Sequence, residues 1–144
     1  LMKSDASGIT ISGGGTFGGD ITVNGTIVHT SSRTVKDNIV SVEPDKVLEM
    51  LSDLDIAKWN YIQDGEEVKH IGPIAEDFYA LFGLGRDEKH ITTLDTSGIA
   101  LAAIKALSSN SNEKDDKIEA LQQQNKELTD KVMMIEKILN QLLK

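Results

Sequence analysis

Ile118-Glu119-Ala120-Leu121-Gln122-Gln123-Gln124-Asn125-Lys126-Glu127-Leu128 begins the stretch that decides the fold. From there Ile118, Leu121, Asn125, Leu128, Val132, Ile135, Leu139 and Leu142 follow at alternating spacings of three and four residues. These are consecutive a and d positions of a heptad, and all but Asn125 are apolar. Such a run predicts a coiled coil, with a helix from Ile118 to Lys144 roughly 40 Å long at ~1.5 Å per residue. The same register extends back through Leu107 and Ile104. Ile135 at d and Leu139 at a reverse the choice that favours dimers and point to three or more strands. Asn125 at a costs stability and pins the register. Lys131 at g and Glu136 at the following e can pair between chains. The expectation is a parallel homotrimer, with a three-stranded coiled coil over residues 111–144.

Working towards the N-terminus, Ile99, Ala100, Ala103, Ile104 and Leu107 form an apolar helical stripe, with Asp95 or Thr96 as the expected N-cap. Ser108 to Asn112 is polar and predicts a break or a loosened turn. Gly85 to Thr93 is polar, with one small strand expected around His90-Ile91-Thr92. Ala75 to Phe82 predicts a short helix ending at Gly83. Ala57 to Ile62 alternates and is rich in strand formers. It predicts a hairpin through Asp64-Gly65 with Val68 to Ile74 as the return strand. Ser41 to about Asn60 carries Val47, Leu48, Leu51, Leu54 and Ile56 on one helical face, and Pro44 suits a first helical turn. Residues 31–110 therefore read as a small mixed domain.

Gly8 to Thr30 has a different character and holds seven of the twelve glycines. Short alternating runs sit between them: Ile9-Thr10-Ile11, Phe17, Ile21-Thr22-Val23 and Ile27-Val28, with Asn24-Gly25 as a two-residue turn signal. Strands this short bury too little to stand alone, so this stretch is expected to be stable where several chains wrap together. Gly13-Gly14-Gly15-Thr16-Phe17-Gly18-Gly19 lacks the Gly-Lys-Ser/Thr ending of a phosphate-binding loop and reads as turns between strands. Residues 1–30 are thus the expected end of a β-rich stalk that continues upstream of Leu1. The fold class is α+β: a glycine-rich β segment, a small mixed domain and a long C-terminal helix.

Composition narrows the function. The net charge of −8 argues against a nucleic-acid footprint or an anionic membrane surface. No apolar run approaches the ~20 residues of a membrane span. There is no cysteine, which removes disulfides, thiolate metal sites and thiol nucleophiles. His70 and His90 lack a third ligand at a helpful spacing, so neither a metal nor a cofactor is expected. Glu76 and Asp77 read as acids favoured at a helix start. Trp59, Tyr61, Phe78, Tyr79 and Phe82 read as small-domain core.

The candidate chemistry lies at the junction His29-Thr30-Ser31-Ser32-Arg33-Thr34-Val35-Lys36-Asp37-Asn38-Ile39. Ser31 and Lys36 put a hydroxyl and an amine five residues apart. A serine hydroxyl is a weak nucleophile unless a neighbour takes its proton, and a lysine can do so only when neutral, which desolvation promotes. By itself such a pair is common by chance. His29 is a second candidate base or orienting group, and also reads as a strand-end surface histidine. Asp37 and Asn38 either orient Lys36 or cap a turn.

Several fragments together resemble the intramolecular chaperone domains, the chaperones of endosialidase, at the C-termini of phage endosialidases, tail spikes, tail fibres and neck appendages. That family opens with Ser-Asp, three variable residues and Lys, similar to Ser31-Ser32-Arg33-Thr34-Val35-Lys36. An aromatic strand follows, similar to Trp59-Asn60-Tyr61. Gly72-Pro73-Ile74-Ala75-Glu76-Asp77 resembles its Gly-x-Ile-Ala-Gln-Asp/Glu. Gly98-Ile99-Ala100-Leu101 and Ala103-Ile104-Lys105-Ala106-Leu107 resemble its helix leading into a coiled coil. The resemblance covers residues 31 to about 144. It departs at Ser32, where Asp is usual, and at Glu76, where Gln is usual. The first departure leaves Ser31 and Ser32 both open as nucleophile, with Ser31 keeping the five-residue offset to Lys36.

The resemblance implies a domain that drives trimeric folding of the β-rich, β-helix-like protein N-terminal to it. It then implies self-cleavage at the bond before the catalytic serine, here Thr30–Ser31, by a Ser31–Lys36 dyad with His29, Ser32 and Asn38 as supporting candidates. The partners implied are its own copies and the N-terminal portion of its precursor. The implied setting is a virion appendage precursor assembled in the host cytoplasm. A trimerisation module of a fibre that never cuts is the alternative.

Overall fold

A computed structural model of the chain describes residues 2–5, 8–11 and 14–143, with side chains from residue 14 onward. It divides into two units, one up to Val40 and one from Ser41 onward.

In the first unit, β1 (Met2–Asp5) and β2 (Gly8–Ile11) pair antiparallel, with Met2 opposite Ile11 and Asp5 opposite Gly8. The expected run Ile9-Thr10-Ile11 thus lies in a strand. Gly13, at the start of the glycine-rich run, lies outside the described residues. Ile21-Thr22-Val23 and Ile27-Val28 do not form strands: the backbone from 20 to 32 is irregular, with bends at Gly18-Gly19 and Asn24-Gly25. Among the described residues neither Asn24 nor Gly25 has a positive φ. The tight hairpin turn that Asn-Gly favours needs positive φ at both of its central residues. The reason is local. Without a neighbour strand, such short runs gain no ladder bonds to offset the entropy of straightening. Phe17, Ile21, Ile27 and Val28 are consequently exposed.

The second unit starts with α1 (Pro44–Ser52), with Pro44 in the first turn, where its missing N–H costs nothing. The helix stops well before Asn60. Asp53 closes it through backbone bonds to Leu51 and Met50, and acids near a helix C-terminus oppose the dipole. β3 (Ala57–Trp59) and β4 (His70–Gly72) then pair antiparallel, Trp59 opposite His70. Both strands are shorter than the alternation suggests. The loop between them contains a 3-10 turn at Ile62–Asp64 and Gly65 at φ 70°. Trp59, Tyr61 and His70 stack together at 4.8–5.4 Å between ring centroids.

α2 (Ala75–Phe82) ends at Gly83 in the left-handed conformation, its N–H bonded to the Tyr79 carbonyl. A helix commonly ends this way because glycine has no Cβ to clash there. The segment to the next helix contains no strand at His90–Thr92. It is tied by side chains instead: Lys89 Nζ donates to Glu76 at 2.9 Å, and His90 Nδ1 lies 2.7 Å from Asp87 Oδ1. The hydrogen bond from Lys89 holds the Glu76 carboxyl below its usual range, and Glu76 in turn raises Lys89. The contact with His90 is the main cause that holds Asp87 low.

α3 (Thr93–Leu142) runs 50 residues without interruption, roughly 75 Å at ~1.5 Å per residue. Its N-cap is Thr92, not Asp95 or Thr96. Thr92 Oγ1 accepts the Asp95 N–H at 3.1 Å and donates to the Asp95 carboxylate at 2.7 Å, so the cap hydroxyl is held from both sides. The expected break at Ser108–Asn112 does not occur. Serine and asparagine cost a helix only some tenths of a kcal/mol each, and Ser108–Asn112 holds no glycine or proline.

The core gathers Val47, Leu54, Phe78 and Ile99, with Leu51, Leu81, Phe82 and Ala102 around them. Small Ala103 and Ala106 are buried on α3, and α1 packs against that helix. The stripe therefore lies partly elsewhere than expected. Ile99 and Ala103 face inward, but Ala100, Ile104 and Leu107 are exposed. Beyond Asn110 every described residue of α3 is exposed. The heptad line of Ile118, Leu128 and Ile135 is thus half or more open, at 50, 58 and 56%. The architecture is mixed α and β, with a two-stranded sheet and a long C-terminal helix in the second unit.

Candidate functional site

The junction is shaped by one tight turn. Ser32 caps a 3-10 turn at Arg33–Val35: its Oγ accepts the Thr34 N–H at 3.2 Å and lies 2.9 Å from Thr34 Oγ1. Val35 N–H bonds the Ser32 carbonyl at 3.2 Å and Lys36 N–H bonds the Arg33 carbonyl at 3.4 Å. The turn returns the chain so that residues 31 and 36 meet. Lys36 Nζ donates to Ser31 Oγ at 2.6 Å. The two serines thus differ in their bonding. The Ser32 hydroxyl is occupied by the turn, and the Ser31 hydroxyl by the amine.

Beyond the pair, Asp37 Oδ1 accepts the Asn38 N–H at 2.8 Å, and Asn38 takes a left-handed φ of 50°. Asparagine tolerates this region because its side chain bonds locally. Neither Asp37 nor Asn38 bonds Lys36. His29 is exposed and has no hydrogen bond among the described residues. Thr34, which the sequence reading passed over, is part of the turn. Its signal was available: serine followed two residues later by threonine suits a hydroxyl-capped turn.

Ser31 and Lys36 are both exposed in the single chain. The Lys36 amine serves here as a donor to Ser31 Oγ. Withdrawing it from water is what converts it into an acceptor for the hydroxyl proton. Among the described residues no cluster of His, Asp and Glu is arranged to hold a metal ion, and no helix is long and apolar enough to cross a membrane.

Ser–Lys hydrolases pair a serine hydroxyl with a lysine amine, and the same two group types meet here at 2.6 Å. Residues 31–83 match the family described as Chaperone of endosialidase, named Peptidase_S74. The matched segment opens at the serine of the pair and closes at the glycine that caps α2. It supports a chaperone-like role, in a family whose name denotes a peptidase. Among curated proteins no match to the chain is found.

Proposed function

We propose that the chain carries a C-terminal intramolecular chaperone that drives trimeric folding of a phage fibre or appendage protein and then releases itself by cutting between Thr30 and Ser31. The observation that carries this reading is the 2.6 Å contact from Lys36 Nζ to Ser31 Oγ, at the residue where the family match begins.

In the proposed reaction Ser31 Oγ attacks the Thr30 carbonyl carbon while its proton passes to Lys36 Nζ. The Thr30–Ser31 C–N bond breaks, and Lys36 returns the proton to the departing nitrogen, which becomes the α-amine of Ser31. The resulting ester is hydrolysed by water, leaving a Thr30 carboxylate and a restored Ser31 hydroxyl. Lys36 must be desolvated for the first step, and it is exposed in the single chain. If association of three chains withdrew Lys36 from water, it would arm the pair. Cutting would then follow assembly and leave the mature fibre without its helper.

The test is the intact mass of freshly made protein. A fragment beginning at Ser31 is expected, and it should vanish in Ser31→Ala and in Lys36→Ala. An uncut chain that nonetheless associates would favour the second reading, a trimerisation module that stays attached. The exposure of the pair is the observation on that side.

A further inference from the structure

We propose that Asn24 is a self-modification site, open in the unassociated chain and closed by strand pairing, through which a chain that fails to assemble is chemically retired. Only the closing by assembly rests on the proposed function.

Asn24-Gly25 is the only Asn-Gly pair in the sequence. Both residues are exposed, and neither has a hydrogen-bond partner among the described residues. Apart from its chain neighbours, nothing among the described residues lies within 4 Å of the position a Gly25 Cβ would take. The Gly25 nitrogen is therefore unhindered and uncommitted, one residue from the Asn24 amide. It can attack Asn24 Cγ, forming an N–Cγ bond as the Cγ–Nδ2 bond breaks. The departing Nδ2 takes the Gly25 N–H proton and leaves as ammonia, and a five-membered imide remains. Water then opens the imide at either carbonyl, giving aspartate or isoaspartate. No other reactant is needed.

The remaining asparagines are poorly placed for this reaction. Asn110, Asn112, Asn125 and Asn140 lie in α3, where the following N–H is held in the helix. Asn38 precedes β-branched Ile39, and Asn60 precedes bulky Tyr61.

Pairing should close the site by geometry. A two-residue turn between Ile21-Thr22-Val23 and Ile27-Val28 would hold Asn24 at positive φ. Asn24 does not have this conformation in the single chain. A fixed turn removes the rotation that brings the Gly25 nitrogen to Cγ. Conversely, isoaspartate adds a methylene to the backbone, and a changed strand period turns every later side chain to the wrong face.

The experiment incubates the full chain at neutral pH, separates single-chain from associated fractions, and maps each asparagine by peptide mass with an isoaspartate-specific methyltransferase assay. Asn24 should convert faster than any other asparagine in the single-chain fraction. Gly25→Val should slow it by about tenfold or more, since a β-branched neighbour crowds the attack. Asn24→Gln should remove the signal. Conversion of Asn24 no faster than that of Asn112 or Asn140 would overturn the proposal. Equal conversion in both fractions would overturn the closing by assembly. Absence of any associated fraction would instead count against the trimeric reading, while the single-chain result still decides the chemistry at Asn24.

Discussion

At the scale of residues, the two adjacent serines are distinguished by what each hydroxyl bonds. Ser32 Oγ supports the 3-10 turn, and Ser31 Oγ receives the lysine. If Ser31 is the nucleophile, Ser32→Ala should slow cutting through a loosened turn, while Ser31→Ala abolishes it. Mass spectrometry of both variants checks this, and the reverse order would move the nucleophile to Ser32. Lys36→Arg should also abolish cutting, because a guanidinium keeps its proton and cannot act as base. The spacing from Ser31 to Lys36 was legible in the sequence. The turn that closes it was legible only in part: Ser32 followed by Thr34 signals a hydroxyl-capped turn, but no residue type announces its backbone bonds. The role of His29 rested on type alone, and it makes no contact with the pair.

At the scale of elements, some boundaries were legible and others were not: Pro44 and Ala75 open their helices as read, while α1 ends at Ser52, well short of Asn60. Gly83 ends α2 as its type suggests, since φ 60° there lies in the left-handed region, which glycine enters without a Cβ penalty. Gly83→Ala should cost about 1–2 kcal/mol for the left-handed backbone, measurable by denaturant unfolding. The N-cap of α3 was misplaced by three or four residues because Thr92, Asp95 and Thr96 are all acceptable caps by type. Only the reciprocal bonds of Thr92 and Asp95 decide. Thr92→Ala should cost about 1 kcal/mol, while Thr96→Ala should cost little. The inner face of α3 was also ambiguous, because Ala100 and Ala103 are equally apolar and only packing against α1 selects Ala103.

The segment before α3 carries a pH signature. Glu76 titrates below its ordinary 4.5, so its contribution is present above that pH and is lost as pH falls through the lowered value. Lys89 titrates above its ordinary 10.5, so its contribution is present below that pH and is lost as pH rises through the raised value. Thermal melts of Lys89→Ala and of the unaltered chain should differ modestly between those limits and converge in acid. The pair is solvated, so salt should shrink the difference. Equal melting at every pH would show that the pair contributes nothing.

At the scale of the whole molecule, what a lone chain leaves open is as informative as what it buries. A heptad pattern suits a partner surface, and the heptad residues of α3 remain exposed along its second half. The strand-like runs Ile21-Thr22-Val23 and Ile27-Val28 likewise stay irregular. Their alternation predicts strands, and the chain does not pair them; under the proposed function several chains would have to supply the neighbour strands. Asn125→Ile should raise the melting temperature of the associated form and loosen its register and strand number, as read by analytical ultracentrifugation.

The most direct measurement follows cutting at Thr30–Ser31 in a chain that cannot associate. Leu128→Asp with Ile135→Asp places charges in the heptad line, well apart in sequence from the Ser31–Lys36 pair. Intact mass and sedimentation of this variant, beside the unaltered chain, should show an uncut single chain against a cut, associated one. A monomeric variant that cuts at full rate would contradict the account.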